Sequence, residues 1–200
     1  MSKNILEKFK KIEILGKGQF GNVYKVKYNN EYYAIKEIDN IKLNKFLIDT
    51  EVMKKMKCEN LVKVIESVKT EDSFYIISEL CHLNLEKYLN SKKEGLSIEE
   101  IKELLIDLNK GLKVMNENKI IHGNIKPSNI LLSFNKNNVN KVCFKISDFG
   151  LSQLYKENII SKSIRGTSQF ISPECLKGEE INDKSDIWSL YYYLLLLYSF

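Results

Sequence analysis

Residues 122–132 read "HGNIKPSNILL". Asn124, Lys126 and Asn129 stand around a proline, just ahead of the apolar run Ile130–Leu132. Polar side chains set this closely around a proline mark a loop, and at Asn124 that loop carries an amide and not a carboxylate. An amide oxygen accepts a hydrogen bond but has no useful basicity near neutral pH.

Upstream, residues 11–38, "KIEILGKGQFGNVYKVKYNNEYYAIKEI", alternate and carry β-branched and aromatic residues around glycines. The pattern predicts a strand, a glycine turn, a second strand, an Asn29-Asn30 turn and a third strand. Residues 41–57 switch to helical spacing. The stretch "LVKVIESVKTEDSFYIISEL" returns to strands, with Thr70–Ser73 as the turn between them. From Leu85 the pattern is mainly helical, and in "SIEEIKELLIDLNKGLKVMNENK" Ser97 is placed as an N-cap with Glu100 at the capping-box spacing. Ser133–Lys141, "SFNKNNVNK", is expected to be a solvated loop between short strands. A β-rich first part followed by a helical second part gives an α+β class.

With 200 residues, 44% of them apolar and 28% charged, the chain has the composition of a soluble globular protein. The net charge of +5 comes from lysines scattered along the chain. Such scatter reads as a solvated surface and argues against a nucleic-acid partner. Cys58, Cys81, Cys143 and Cys175 show no CxxC or Cys/His ligand spacing, so no zinc site is expected. The opening "MSKNILEKFKKIEIL" is charged throughout and has no secretion signal. With free thiols, this predicts a cytoplasmic or nuclear protein. The run "IWSLYYYLLLLYSF", Ile187–Phe200, falls short of the roughly 20 residues that span a bilayer, so a buried helix and no membrane partner are expected.

Gly16-x-Gly18-x-x-Gly21-x-Val23 is a weak signal alone, equally suited to a plain hairpin turn. A dinucleotide-binding loop would run directly into a helix, whereas Val23–Val26 continues as a strand. A glycine hairpin between strands can instead lie over phosphates and offer backbone N–H groups. Lys36, in "YAIK", falls on the strand expected beside that hairpin, within reach of the same phosphates. A lone strand lysine would otherwise be read as merely exposed.

Four further motifs stand in order after these: "HGNIKPSNIL", "DFG" at Asp148–Gly150, "GTSQFISPE" at Gly166–Glu174, and "DIWSL" at Asp186–Leu190. With them the chain resembles the eukaryotic protein-kinase family, and Lys126-Pro127 with "GTSQF" leans towards its serine/threonine branch. The resemblance implies a protein-kinase-like bilobal fold. Residues 1–80 would form a β-rich N-lobe and residues 81–200 a mainly helical C-lobe, incomplete at its C-terminal end. It also implies ATP and Mg²⁺ as cofactors and a second protein as substrate or regulated partner. Lys36 would hold the α/β-phosphates under the glycine loop, and Lys126 would neutralise the transferred group. Asn129 and Asp148 would present oxygens to magnesium. Val23 and Ala34 would pack above the adenine and Leu131 below it. Ser78 would back the pocket just before a hinge at Glu79, Leu80 and Cys81.

The resemblance breaks at four places. Asn124 occupies the catalytic aspartate's position. General-base catalysis is typically worth about 10²–10⁴-fold, roughly 3–5 kcal/mol of barrier. Gly123 replaces an arginine that pairs with a phosphate on the activation segment, so phosphorylation of Ser161, Ser163 or Thr167 would lose that partner. The residue expected to pair with Lys36 is Asp49, on the helix face of Val52, Met53 and Met56, while Glu51 lies about 160° away at 100° per residue. An aspartate there is shorter by about 1.3 Å of reach. Finally, the chain ends inside what would be the central C-lobe helix, with tyrosine at 191 where glycine is expected. That should leave Glu174 without its partner and an apolar patch at Tyr191–Tyr193 and Leu194–Leu197. Three functions fit: a nucleotide-binding pseudokinase acting as scaffold or regulator, a low-activity serine/threonine kinase, and a non-functional fragment.

Overall fold

The computed structural model describes residues 6–18, 21–39, 50–92, 94–135, 138–149, 153–154, 170–179 and 182–198. Strands β1 (Lys10–Gly18), β2 (Gly21–Tyr28), β3 (Glu31–Asp39), β4 (Val64–Lys69) and β5 (Ser73–Glu79) form an antiparallel sheet in the order β1-β2-β3-β5-β4. The turns fall where residue chemistry puts them. Asn29 and Asn30 adopt left-handed φ values of 47° and 63°, which suit the two-residue hairpin between β2 and β3. The Thr70 hydroxyl and N–H both donate to the Ser73 carbonyl, at 2.9 and 2.8 Å, and close the β4–β5 turn.

Strand alternation sorts this sheet into two faces. Val23 lies opposite Lys36, Lys36 opposite Ile76 and Ala34 opposite Ser78, so these side chains share one face. That face feeds Ile38, Ile76 and Val64 into the main core. Val26, Ile35, Val68 and Ile77 make a separate cluster on the other face, covered by Leu6, Phe9 and Tyr33. Helix α1 (Thr50–Lys55) buries Met53 and packs Val52 against the main core, with Met56 just beyond its end doing the same. Glu51 is exposed and pairs with Lys54 at 2.8 Å, so the expected division of the helix faces holds for these residues. Asp49 lies outside the described residues.

The second part contains β6 (Leu83–Asn84), α2 (Leu85–Ser91), α3 (Ile98–Glu117), β7 (Ile120–Ile121), a 3₁₀ turn (Pro127–Asn129), β8 (Ile130–Asn135), β9 (Asn138–Ile146), β10 (Gln153–Leu154), α4 (Pro173–Leu176) and α5 (Asp183–Tyr198). Helix α3 opens with the expected capping box. Ser97 Oγ accepts from the Glu100 N–H at 3.2 Å, and Glu100 Oε2 accepts from the Ser97 N–H at 2.8 Å. Its inner face, Leu104, Leu108 and Met115, packs with Leu85, Ile130, Leu132, Phe144 and Ile146; none of these is more than 1% exposed. Burying each such side chain is worth about 1.5–3 kcal/mol, so this cluster dominates the fold's stability.

Three expectations are corrected. Ser133–Lys141 is not a loop, because β8 and β9 pair as a hairpin whose register runs to Asn135 and Asn138. A polar strand is stabilised here by its neighbours, β6 and β9, rather than by an alternating pattern of its own. In α5, Tyr193 is not part of an exposed patch; it is buried with Leu190, while Ile187, Trp188, Tyr191, Tyr192 and Leu195 are exposed. Leu194 packs partly against the core. The side chains of Leu196 and Leu197 lie outside the described residues. Glu174 does have a partner, accepting from the Ser185 hydroxyl at 2.9 Å. Among the described residues no helix is long and apolar enough to cross a membrane, and all four cysteines are free thiols.

Candidate functional site

Lys36, in the middle of β3, donates to Asp148 Oδ1, two residues beyond β9. This bond ties the first sheet to the second part of the chain. Lys36 sits opposite Val23, on the strand that pairs beside the glycine hairpin. The glycines differ in what they do. Gly21 has φ +151°, and a Cβ there would lie 1.8 Å from the Glu37 carbonyl oxygen, so the close approach of β2 to β3 demands glycine. Gly16 has open space where a Cβ would stand. Gly18 pairs with Gly21 across the end of the hairpin. The hairpin tip, residues 19 and 20, is outside the described residues.

The opposite wall is the loop that precedes β8. His122 is fully buried. Its N–H donates to Asp186 Oδ2 at 2.7 Å, and the Gly123 N–H donates to Asp186 Oδ1 at 2.8 Å. Asp186, in the first turn of α5, is buried; desolvation pushes its carboxyl up, opposed by His122 and by the two N–H donors. His122 Nδ1 accepts from the Asn124 N–H at 3.2 Å, which leaves Nε2 to donate to the Ser147 carbonyl at 2.9 Å. Gly123 has φ +72°, a left-handed backbone that costs a residue with a side chain roughly 1–2 kcal/mol. Glycine therefore relaxes the loop at the position where the resemblance places arginine.

Asn129 fixes the loop to the end of β9. Its side-chain amide donates to the Asn124 carbonyl at 2.8 Å. Its own carbonyl accepts from the Ser147 N–H at 2.9 Å and the Ser147 hydroxyl at 2.8 Å. Asp148 follows directly, at φ +63°. Asn124, Asn129 and Asp148 are thus held in one bonded unit, with Asn129 Oδ1 and the Asp148 carboxylate as its oxygen donors. Lys126 caps the 3₁₀ turn through its carbonyl, which accepts from the Asn129 N–H at 2.9 Å.

At the far end of the sheet face, Ser78 Oγ donates to the Ala34 carbonyl at 3.5 Å. The Glu79 carboxylate is taken by Lys145 Nζ, at 2.9 and 3.0 Å, and by the Lys63 N–H at 2.8 Å. Its side chain therefore braces the end of β5 against β9. Burial, and secondarily Glu79, push the Cys81 thiol up to about 12, so Cys81 is neutral near pH 7. Leu131 lies half-buried on β8, in register between Asn84 and Lys145. Gly150, Ser161, Ser163 and Thr167 are outside the described residues.

Sequence reasoning did not single out His122, Asp186 or Lys145 as bracing residues. Asp186 carried a signal, being an acid in the first turn of an otherwise apolar helix. Lys145 carried none, since a strand lysine is normally exposed.

A model of the protein kinase domain family matches residues 9–199, and the chain belongs to that family. It is 30% identical over 201 residues to the serine/threonine-protein kinase TIO of Arabidopsis thaliana, covering 96% of this chain and 15% of that protein. It is 35% identical over 191 residues to the serine/threonine-protein kinase Nek11 of Macaca fascicularis, covering 88% of this chain and 29% of that protein. Human serine/threonine-protein kinase ULK1 is 28% identical over 193 residues, covering 91% of this chain and 18% of that protein. The chain thus spans less than a third of the length of each of these relatives.

Protein kinase domains in general use ATP and Mg²⁺, and the donor set fits both. Magnesium is commonly held by one or two carboxylates plus substrate phosphates, and the Asp148 carboxylate with the Asn129 amide oxygen would suit such an ion. No group of three or more His, Cys, Asp or Glu side chains suited to a metal occurs among the described residues.

Proposed function

We propose that this chain is a pseudokinase domain that binds Mg-ATP and acts on a second protein as scaffold or regulator, with phosphotransfer impaired by Asn124. The observation that carries the reading is the combination of an intact nucleotide-facing set with an amide at the base position. Lys36 would hold the α/β-phosphates, Asn129 and Asp148 the magnesium ion, and Val23, Ala34, Ser78 and the Glu79–Cys81 backbone would flank the adenine. Bound ATP supplies the phosphoryl group in this family. What this chain lacks is a group to accept the proton of an incoming hydroxyl, because Asn124 can position that hydroxyl but cannot take its proton. Gly123 removes the cation that would answer a phosphate on the activation segment.

One observation favours residual activity as a second reading. The Asn124 backbone is held by both His122 and Asn129, so in-line positioning survives even though the base does not. The test is thermal unfolding with millimolar Mg-ATP, because a ligand that binds only the folded state raises its melting temperature. The expected result is a shift that Lys36→Met and Asp148→Asn each diminish. No shift on folded protein would overturn the reading.

A further inference from the structure

We propose that the corner where β1 enters the first sheet is a docking site for a phosphorylated segment of a partner protein. A concavity of about 310 Å³ opens there, lined by Lys8, Lys10, Lys27, Tyr28, Asn29 and Asn30. That volume is at the small end for ligand sites and suits a single side chain.

The lysines are not placed there for the fold. Lys10 and Lys27 are direct cross-strand partners, and like charges directly opposite each other on a sheet destabilise it. On the same two strands Lys11 pairs with Glu37 at 3.4 Å and Lys25 with Glu13 at 3.1 Å. Lys8, Lys10 and Lys27 form no ion pair among the described residues, and no carboxylate lines the concavity. The corner is also well built. Phe9, between Lys8 and Lys10, turns inward against the rings of Tyr28 and Tyr33, with centroids at 5.1 and 5.8 Å. Lys8, in the turn that leads into β1, and Lys10, at its first position, both line the open side. Asn29 and Asn30, in the left-handed turn, complete its lining.

Three lysines and two asparagines line one small volume, with Lys27 Nζ at 5.6 Å over the Tyr32 ring beside it. A phosphate monoester matches them, carrying close to two negative charges near neutral pH and three acceptor oxygens. Lysine binds such groups as a point charge. Nucleic acid and anionic membrane would need a longer or flatter basic tract. The adjoining Lys11 and Lys25 are each paired with a glutamate, so the cluster at this corner is short.

The test is fluorescence anisotropy of a labelled phosphoserine peptide and its unphosphorylated twin against the full chain, at about 50 and about 150 mM salt. The expected result is at least about tenfold tighter binding of the phosphopeptide, weakened by salt and not displaced by excess Mg-ATP. The variant Lys10→Thr/Lys27→Thr should lose that preference without a fall in melting temperature, because it relieves the cross-strand repulsion. Equal binding of the two peptides, displacement by Mg-ATP, or an unchanged double variant would overturn the proposal. So would loss of binding together with a lower melting temperature. Tighter lysine-dependent binding of poly(U) RNA or of phosphatidylserine vesicles would equally overturn it.

Discussion

Asn129 donates through its side-chain amide to the backbone carbonyl of Asn124, at 2.8 Å. Asn129, the proposed magnesium ligand, therefore holds the backbone of Asn124 independently of the side chain at that position. Asn129→Ala should act twice. It leaves the Asn124 carbonyl short of a partner in a buried loop, a loss of about 1–3 kcal/mol that lowers the melting temperature. It also removes Oδ1, so the part of the ATP-induced shift that depends on magnesium should disappear. Melting curves with ATP in the presence of Mg²⁺ and of chelator separate the two effects, and an unchanged magnesium dependence would remove Asn129 from the metal site.

The glycines of the hairpin should separate into structural and functional positions. Gly21→Ala puts a Cβ 1.8 Å from the Glu37 carbonyl oxygen at a positive φ, so the β2–β3 pairing must shift, at about 3 kcal/mol or more. Gly16→Ala meets nothing within 4 Å, so the melting temperature of the free protein should stay nearly constant. Its cost should appear only in a smaller Mg-ATP shift, where the backbone approaches phosphate. A full ATP shift in Gly16→Ala would show that this glycine has no part in nucleotide binding.

Glu100 should make the helical part acid-sensitive. Burial alone would raise its carboxyl, but Lys92, the Tyr88 hydroxyl and the Ser97 N–H outweigh that and hold it at about 2, below its ordinary 4.5. A depressed carboxylate contributes stability that is fully present above pH 4.5 and is lost as pH falls towards 2, here on the order of 2 kcal/mol. Chemical denaturation between pH 6 and pH 2.5 should show the wild type losing this increment while Glu100→Gln, already without it, changes less. Parallel pH profiles would contradict the assignment.

Much of this architecture was legible in the residues themselves. The Asn29-Asn30 hairpin, the Ser97 cap and the strand of Lys36 beside the glycine hairpin each follow from local chemistry at period two or 3.6, and all three are present. The inward face of α1 was readable because only one face of that helix is apolar. The side of α5 that is buried was not, because Ile187–Leu197 is apolar all round and has no polar stripe to mark the outside. The β8–β9 hairpin was hidden for the opposite reason, since its asparagines and lysines show no alternation. Lys145–Glu79 and Glu174–Ser185 join residues 66 and 11 positions apart, and no local pattern encodes such pairs. At the site, the type and order of the residues were readable, while the bracing by Asp186 and His122 required the fold.

The most direct measurement is transfer of labelled γ-phosphate to a generic protein substrate by the parent chain, Asn124→Asp and Asn124→Ala, each first shown to bind Mg-ATP. The bonds that hold Asn124 come from its backbone, so both substitutions should leave the loop in place. If the missing base is the defect, Asn124→Asp should exceed the parent by at least about tenfold. That recovery should stop short of full activity, because Gly123 still gives a phosphorylated activation segment no cation. The parent and Asn124→Ala should both stay at background. A parent that transfers phosphate at a rate Asn124→Ala abolishes would contradict the account, because the amide would then be working in catalysis.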